Sequence, residues 1–246
     1  MRYLKNDRLY CFSPPVMIAT FLIEIIGALY VVFRYKMTAV TRLAAALLTG
    51  LAIFQLAEYN VCEGAWGVSS LSWARIGYVA ITLLPPLGLH LATKIANQPR
   101  PKLVAGAYGA AAIFAVFFMF IGHGMQSEQC LGNYVIFTTA RWAVLPYAAY
   151  YYGLLVLTAG YCMSVYKMVK KPHIQKALFW LTAGYAAFVI PTTAVNVVDH
   201  ATIAGIPSIM CGFAVILAVL LVLEVLPSYH KGNERISSYL RREAAR

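Results

Sequence analysis

The chain has 246 residues, 61% of them hydrophobic and 12% charged, with a mean hydropathy of +0.69. That balance excludes a soluble domain of this size and marks an integral membrane protein. The formal net charge of +11 does not point to nucleic acid, because the basic residues fall in short clusters between apolar segments, as membrane topology requires.

Arg2, Lys5 and Arg8 precede the first apolar segment. No small-x-small cleavage site closes that segment, so it is expected to be retained. Seven segments reach the ~20 residues that a ~30 Å hydrocarbon core demands. They are expected at 14–33, 39–60, 72–94, 102–122, 143–166, 174–197 and 206–226. Pro14-Pro15, Pro101 and Gly205-Ile206-Pro207 mark helix starts, and Pro172 sits in a Lys-rich link. The expected fold is therefore an all-α integral membrane bundle of seven transmembrane helices, one domain over 1–226, with a short basic tail at 227–246.

Orientation follows from the basic residues of the short links. Arg34, Lys36 and Arg42, then Lys94, Arg100 and Lys102, then Lys167, Lys170, Lys171 and Lys176 flank the odd-numbered links. Lys231, Arg235, Arg241, Arg242 and Arg246 follow the last helix, which brings fifteen of the twenty basic residues to one side. The even-numbered links hold Glu63, Glu128 and Asp199 instead. This predicts the N-terminus outside and the C-terminus cytoplasmic, in a multi-pass protein of the plasma (inner) membrane. Arg2, Lys5 and Arg8 run against the rule and are outvoted by the three basic links and the tail, with an even helix count as the alternative.

The first helix carries Glu24 near its middle, a carboxylate at bilayer depth with no basic neighbour within two turns. Such a group is protonated, paired across helices, or functional. On the second helix Gln55 and Glu58 share a face.

The third segment, WARIGYVAITLLPPLGLHLATK over 73–94, is the one the chain is organised around. Arg75, Tyr78, Thr82 and Pro86 follow at helical spacing, so one face is polar or broken and is expected to look inward. Arg75 either pairs or snorkels to water. Pro85 and Pro86 remove main-chain donors and free carbonyls one turn back, which predicts a kink or hinge.

In the fourth helix Ala105, Gly109 and Ala112 form a small-residue face that could seat a homodimer or serve packing within the bundle. The link from His123 to Arg141 is the longest, a candidate lid, hairpin or packed connector. Arg141, Trp142 and the group Tyr147, Tyr150, Tyr151 and Tyr152 open the fifth helix; they belong either to a pocket or to an interfacial aromatic belt. The sixth carries a stripe of Tyr185, Thr192, Asn196 and Asp199, interrupted by Pro191, with His200 beside it.

Opposite charges at similar depth are expected to pair, Arg75 with Glu58 and Arg141 with Asp199. Together with Tyr78, Asn196 and Gln55 they would line an outward-facing pocket for a small molecule or lipid. Near the opposite end His90 and Glu224 lie at comparable depth and could form a second polar contact. Cys11, Cys62 and Cys130 fall on the predicted outer side, where disulfides persist. A bond between Cys62 and Cys130 is expected, with Cys11 as competitor and free thiols as the alternative.

The seventh segment contains no lysine for a retinal Schiff base. The five histidines are scattered without an HxxxH, and there is no phosphate loop, nucleophile elbow or CxxC. No metal, no cofactor and no recognisable catalytic set is therefore expected.

Trp73-Ala74-Arg75-Ile76-Gly77-Tyr78, then Leu83-Leu84-Pro85-Pro86-Leu87 and His90, resembles the N-terminal seven-helix sensor region of bacterial histidine kinases and diguanylate cyclases. The resemblance covers the architecture over most of the chain and the specific motif over about twenty residues. It implies a signal-transducing receptor-like sensor whose last helix feeds an output. After Pro227 only SYHKGNERISSYLRREAAR remains, so such a module would act through a cytoplasmic or membrane signalling partner. Pro85, Pro86 and Pro191 would transmit the effect, with His90 as a further coupling residue. The alternative is a small transporter or membrane-complex subunit with Glu24 as its coupling carboxylate.

Overall fold

The computed structural model describes residues 14–64, 67–121, 125–130, 135–198 and 206–231, with the main chain alone at 125–130 and 135–138. Among the described residues, seven helical spans are long and apolar enough to cross a membrane. They are α1 (Pro14–Arg34), α2 (Ala39–Glu63), α3 (Ser70–Ile95), α4 (Pro101–Phe120), α5 (Arg141–Met168), α6 (Pro172–Val198) and a last span, Ile206–Lys231, that begins with α7 (Ile206–Leu220). Each begins within two residues of the position expected from the sequence.

Local chemistry sets the boundaries. Thr38 caps α2 by accepting from the Thr41 N–H, and Ser69 caps α3 by accepting from Ser72. Gly64 closes α2 in the left-handed region at φ 69°, where a side chain would be strained. Pro101 opens α4 at a position that needs no N–H.

After Leu220 the last helix widens into a π-helical turn, Leu221–Val225, and then continues to Lys231. A regular turn would press the Pro227 ring against the carbonyl four residues back, and the wider turn relieves that clash. Pro85, Pro86 and Pro191, in contrast, lie inside helices that run through them without interruption.

Helix α3 is the centre of the packing. It touches α2, α4, α5 and α6, and 72% of its most apolar stretch is buried, more than in any other span. Helix α1 packs on α2 and α7, and α7 on α6. Close approach to α3 depends on small residues: the Tyr185 hydroxyl of α6 occupies the place a Cβ on Gly88 would take.

Between α4 and α5 the chain forms an antiparallel hairpin, β1 (Met125–Cys130) with β2 (Val135–Thr139), in the register Glu128 to Phe137 and Cys130 to Val135. Strand β1 packs on α3 and α2. The long link is thus a hairpin laid on the bundle. We call this the hairpin end, and the opposite end, with the Lys/Arg-rich links, the basic end.

At the basic end His230 closes the bundle. Its ring stacks on Tyr35 at 4.7 Å and its Nε2 lies 3.1 Å from Thr41 Oγ1. The end of the last helix is thereby tied to the α1–α2 link.

Candidate functional site

The buried face of α1 runs Met17, Thr20, Glu24, Ala28 and Val31, a helical repeat in which the carboxylate takes one position. Glu24 is 0% exposed and Glu58 on α2 is 1% exposed. They lie within electrostatic range of each other where α1, α2 and α7 meet, and Cys211 of α7 lies within range of both. Ser208 of α7 hydrogen-bonds Glu58.

The remaining valences are open. Among the described residues, both oxygens of Glu24, Oε1 of Glu58 and Nε2 of the buried Gln55 have no hydrogen-bond partner. No Lys or Arg among the described residues pairs with either carboxylate. Two bare carboxylates in such a place would each carry a desolvation penalty of several kcal/mol. The site is therefore stable only with its charge compensated, by a proton or a bound cation.

Tyr78 joins this neighbourhood from α3, buried and within electrostatic range of Glu58. Its ring packs on Phe118 at 4.8 Å and on Tyr147 at 5.8 Å. Tyr147 and Tyr151 turn into the bundle instead of forming an interfacial belt. Tyr147 Oη lies 3.0 Å from Thr82 Oγ1, which itself donates to the Tyr78 carbonyl at 2.6 Å. Tyr150 Oη donates to the Thr82 carbonyl at 2.6 Å. Pro86 leaves that carbonyl without its helical donor.

The expected outward pocket does not assemble as a unit among the described residues. Glu58 and Tyr78 come together, and Gln55 lies one turn from Glu58 on the same buried face. Arg75 does not pair with Glu58: it is half-buried near the start of α3, with its Nε unpartnered among the described residues. A guanidinium there keeps part of its hydration, which an ion pair in the core would forfeit. Asn196 hydrogen-bonds Tyr152 instead of facing Glu58. Arg141 is exposed, and its expected partner Asp199 lies outside the described residues, as does His200.

His90 and Glu224 do not meet either. The His90 ring sits edge-on to Tyr108 at 5.9 Å, with Nδ1 3.5 Å from its hydroxyl. Glu224 pairs with Lys176 of α6 at 3.1 Å. Helix α7 adjoins α6 while His90 looks toward α4, so depth alone was a poor guide to contact.

Cys62 is disulfide-bonded. Cys162 and Cys211 are free and buried, which leaves Cys11 or Cys130 as the partner. The Cys11 segment and the Cys130 side chain lie outside the described residues, although β1, which carries Cys130, packs against α2.

Ser208 and Cys211 were missed in the sequence, as small residues in an apolar run with no pattern to mark them. A helical wheel of α7 would have placed both on one face at spacing three, but not against α1 and α2. No family model, curated protein or solved structure matches the chain.

Proposed function

We propose that the chain is a proton-coupled multi-pass membrane protein, a small transporter or a subunit of a membrane complex, with Glu24 and Glu58 as the proton-carrying pair. The observation that carries this is the fully buried Glu24, with both oxygens unpartnered among the described residues, beside a second buried carboxylate that hydrogen-bonds Ser208. Midplane carboxylates at helix junctions are the means by which secondary transporters couple ion movement. A proton is favoured over a metal ion because no group of three metal-ligating side chains gathers among the described residues.

In this account the bundle lies with its hairpin end outside and its basic end in the cytoplasm, in the plasma membrane. The excess of Lys and Arg on the odd-numbered links supports that orientation. Infrared difference spectra tell a protonated carboxyl from a carboxylate by its C=O stretch. A band from a protonated buried carboxyl, reduced in Glu24→Gln and in Glu58→Gln, is expected. Identical spectra in wild type and both variants would remove the pair from the mechanism.

The sensor implied by the third-helix resemblance is the second account, supported by the Tyr150 bond across the Pro86 position. A ligand near Tyr78 would shift α5 against α3 and so reach the basic end, where a signalling partner would read it. Native mass spectrometry in mild detergent distinguishes the two. A reproducible extra small-molecule mass, lost in Arg75→Ala, favours the sensor.

A further inference from the structure

At the basic end a cleft of about 440 Å³ lies between the start of α6 and the end of the last helix. His173, Lys176, Leu223, Glu224, Ser228 and Lys231 line it. Glu224 holds Lys176 at 3.1 Å, yet that lysine remains 58% exposed. An ammonium has three donors, so the carboxylate fixes its position without using its capacity to bind an anion. Lys231 adds a second ammonium, and Ser228 a hydroxyl. The two lysines outnumber the single acid.

The cleft is not polar throughout. Leu223, on its wall, is 64% exposed, and Val219 and Ile216 continue from it along α7 at spacings of four and three, both exposed. On α6 Phe179, one turn from Lys176, is exposed as well. A basic cleft therefore opens at the end of an uncovered apolar stripe. One molecule combines the two complements, an anionic head and an apolar chain that enter from the same side.

We infer that this cleft is a binding site for the headgroup phosphate of an anionic phospholipid, with an acyl chain lying along Leu223, Val219 and Ile216. Lys176 and Lys231 contact the phosphate, Ser228 a phosphate or glycerol oxygen, and Glu224 positions Lys176. A zwitterionic head, with no net charge, lacks the complement to the surplus ammonium. The inference rests on the chain spanning a bilayer and is independent of the Glu24–Glu58 pair.

The test uses the full chain in mild detergent, titrated with phosphatidylglycerol or phosphatidylcholine of the same acyl length and read by native mass spectrometry. Phosphatidylglycerol should be retained in preference to phosphatidylcholine. The preference should fall about tenfold in Lys176→Gln/Lys231→Gln, since each basic group near the surface contributes to anionic-lipid affinity. Lys102→Gln, a change to an exposed lysine at the start of α4, should keep it. Leu223→Ser should weaken lipid retention, while soluble glycerol phosphate should bind too weakly to be retained by any variant. Each variant's melting temperature guards against misfolding, and Lys176→Arg should restore retention if the double variant proves unstable. Equal retention of the two lipids, an equal loss in Lys102→Gln, or retention of glycerol phosphate indifferent to Leu223→Ser would overturn the proposal.

Discussion

The hydroxyl of Tyr150 donates to the main-chain carbonyl of Thr82 at 2.6 Å, supplying the hydrogen bond that Pro86 cannot. An orphaned carbonyl in an apolar bundle would cost about 1–3 kcal/mol. Helix α5 thus supplies to α3 the donor that Pro86 withholds. The pair of residues joins the two helices across the proline step.

Tyr150→Phe should accordingly destabilise the protein by about 1–3 kcal/mol, read as a lower melting temperature in detergent. Pro86→Ala restores the helical N–H, so Tyr150→Phe should lose less in that background. Equal losses in both backgrounds would show that the bond is not a substitute for the missing donor.

The arrangement was legible in part. Pro85 and Pro86 announced freed carbonyls, and the polar face of the third segment announced an inward one; both follow from local geometry. Which helix would supply the donor was not legible, because helix adjacency is decided by packing over the whole bundle. The same gap explains the misassigned pairs. Glu58 met Ser208 and Glu24 in place of Arg75, and Glu224 met Lys176 in place of His90. Glu24 stood out from the sequence because a carboxylate is conspicuous in an apolar segment, whereas Ser208 and Cys211 are not. The π-helical turn before Pro227 was also missed, since proline there read only as a helix end.

Gly88 is required by contact, with the Tyr185 hydroxyl seated where its Cβ would be. Gly88→Ala should lower stability by about 1–3 kcal/mol, the usual effect of overfilling a packed core. Tyr185→Phe removes the intruding oxygen and should recover part of the loss. No change in melting temperature for Gly88→Ala would contradict the close approach of α6 to α3.

The disulfide at Cys62 predicts two additional alkylated thiols in denatured protein after reduction. Cys130→Ser should abolish the difference and Cys11→Ser should leave it. The reverse result would assign the bond to Cys11, and equal alkylation with and without reductant would exclude a bond.

Orientation can be read in intact cells with an impermeant maleimide. Ser69→Cys should be labelled above the parent protein's background, and Ser237→Cys only after permeabilisation. Labelling of Ser237→Cys alone would invert the topology.

The account turns on Glu24 as a proton carrier, and the most direct measurement is proton flux into liposomes containing the purified protein under an imposed membrane potential. Gln keeps the shape of the side chain but cannot exchange a proton. Flux above that of empty liposomes, lost in a Glu24→Gln variant with an unaltered melting temperature, is the predicted result. Equal flux in wild type and Glu24→Gln, or none in either, would contradict it.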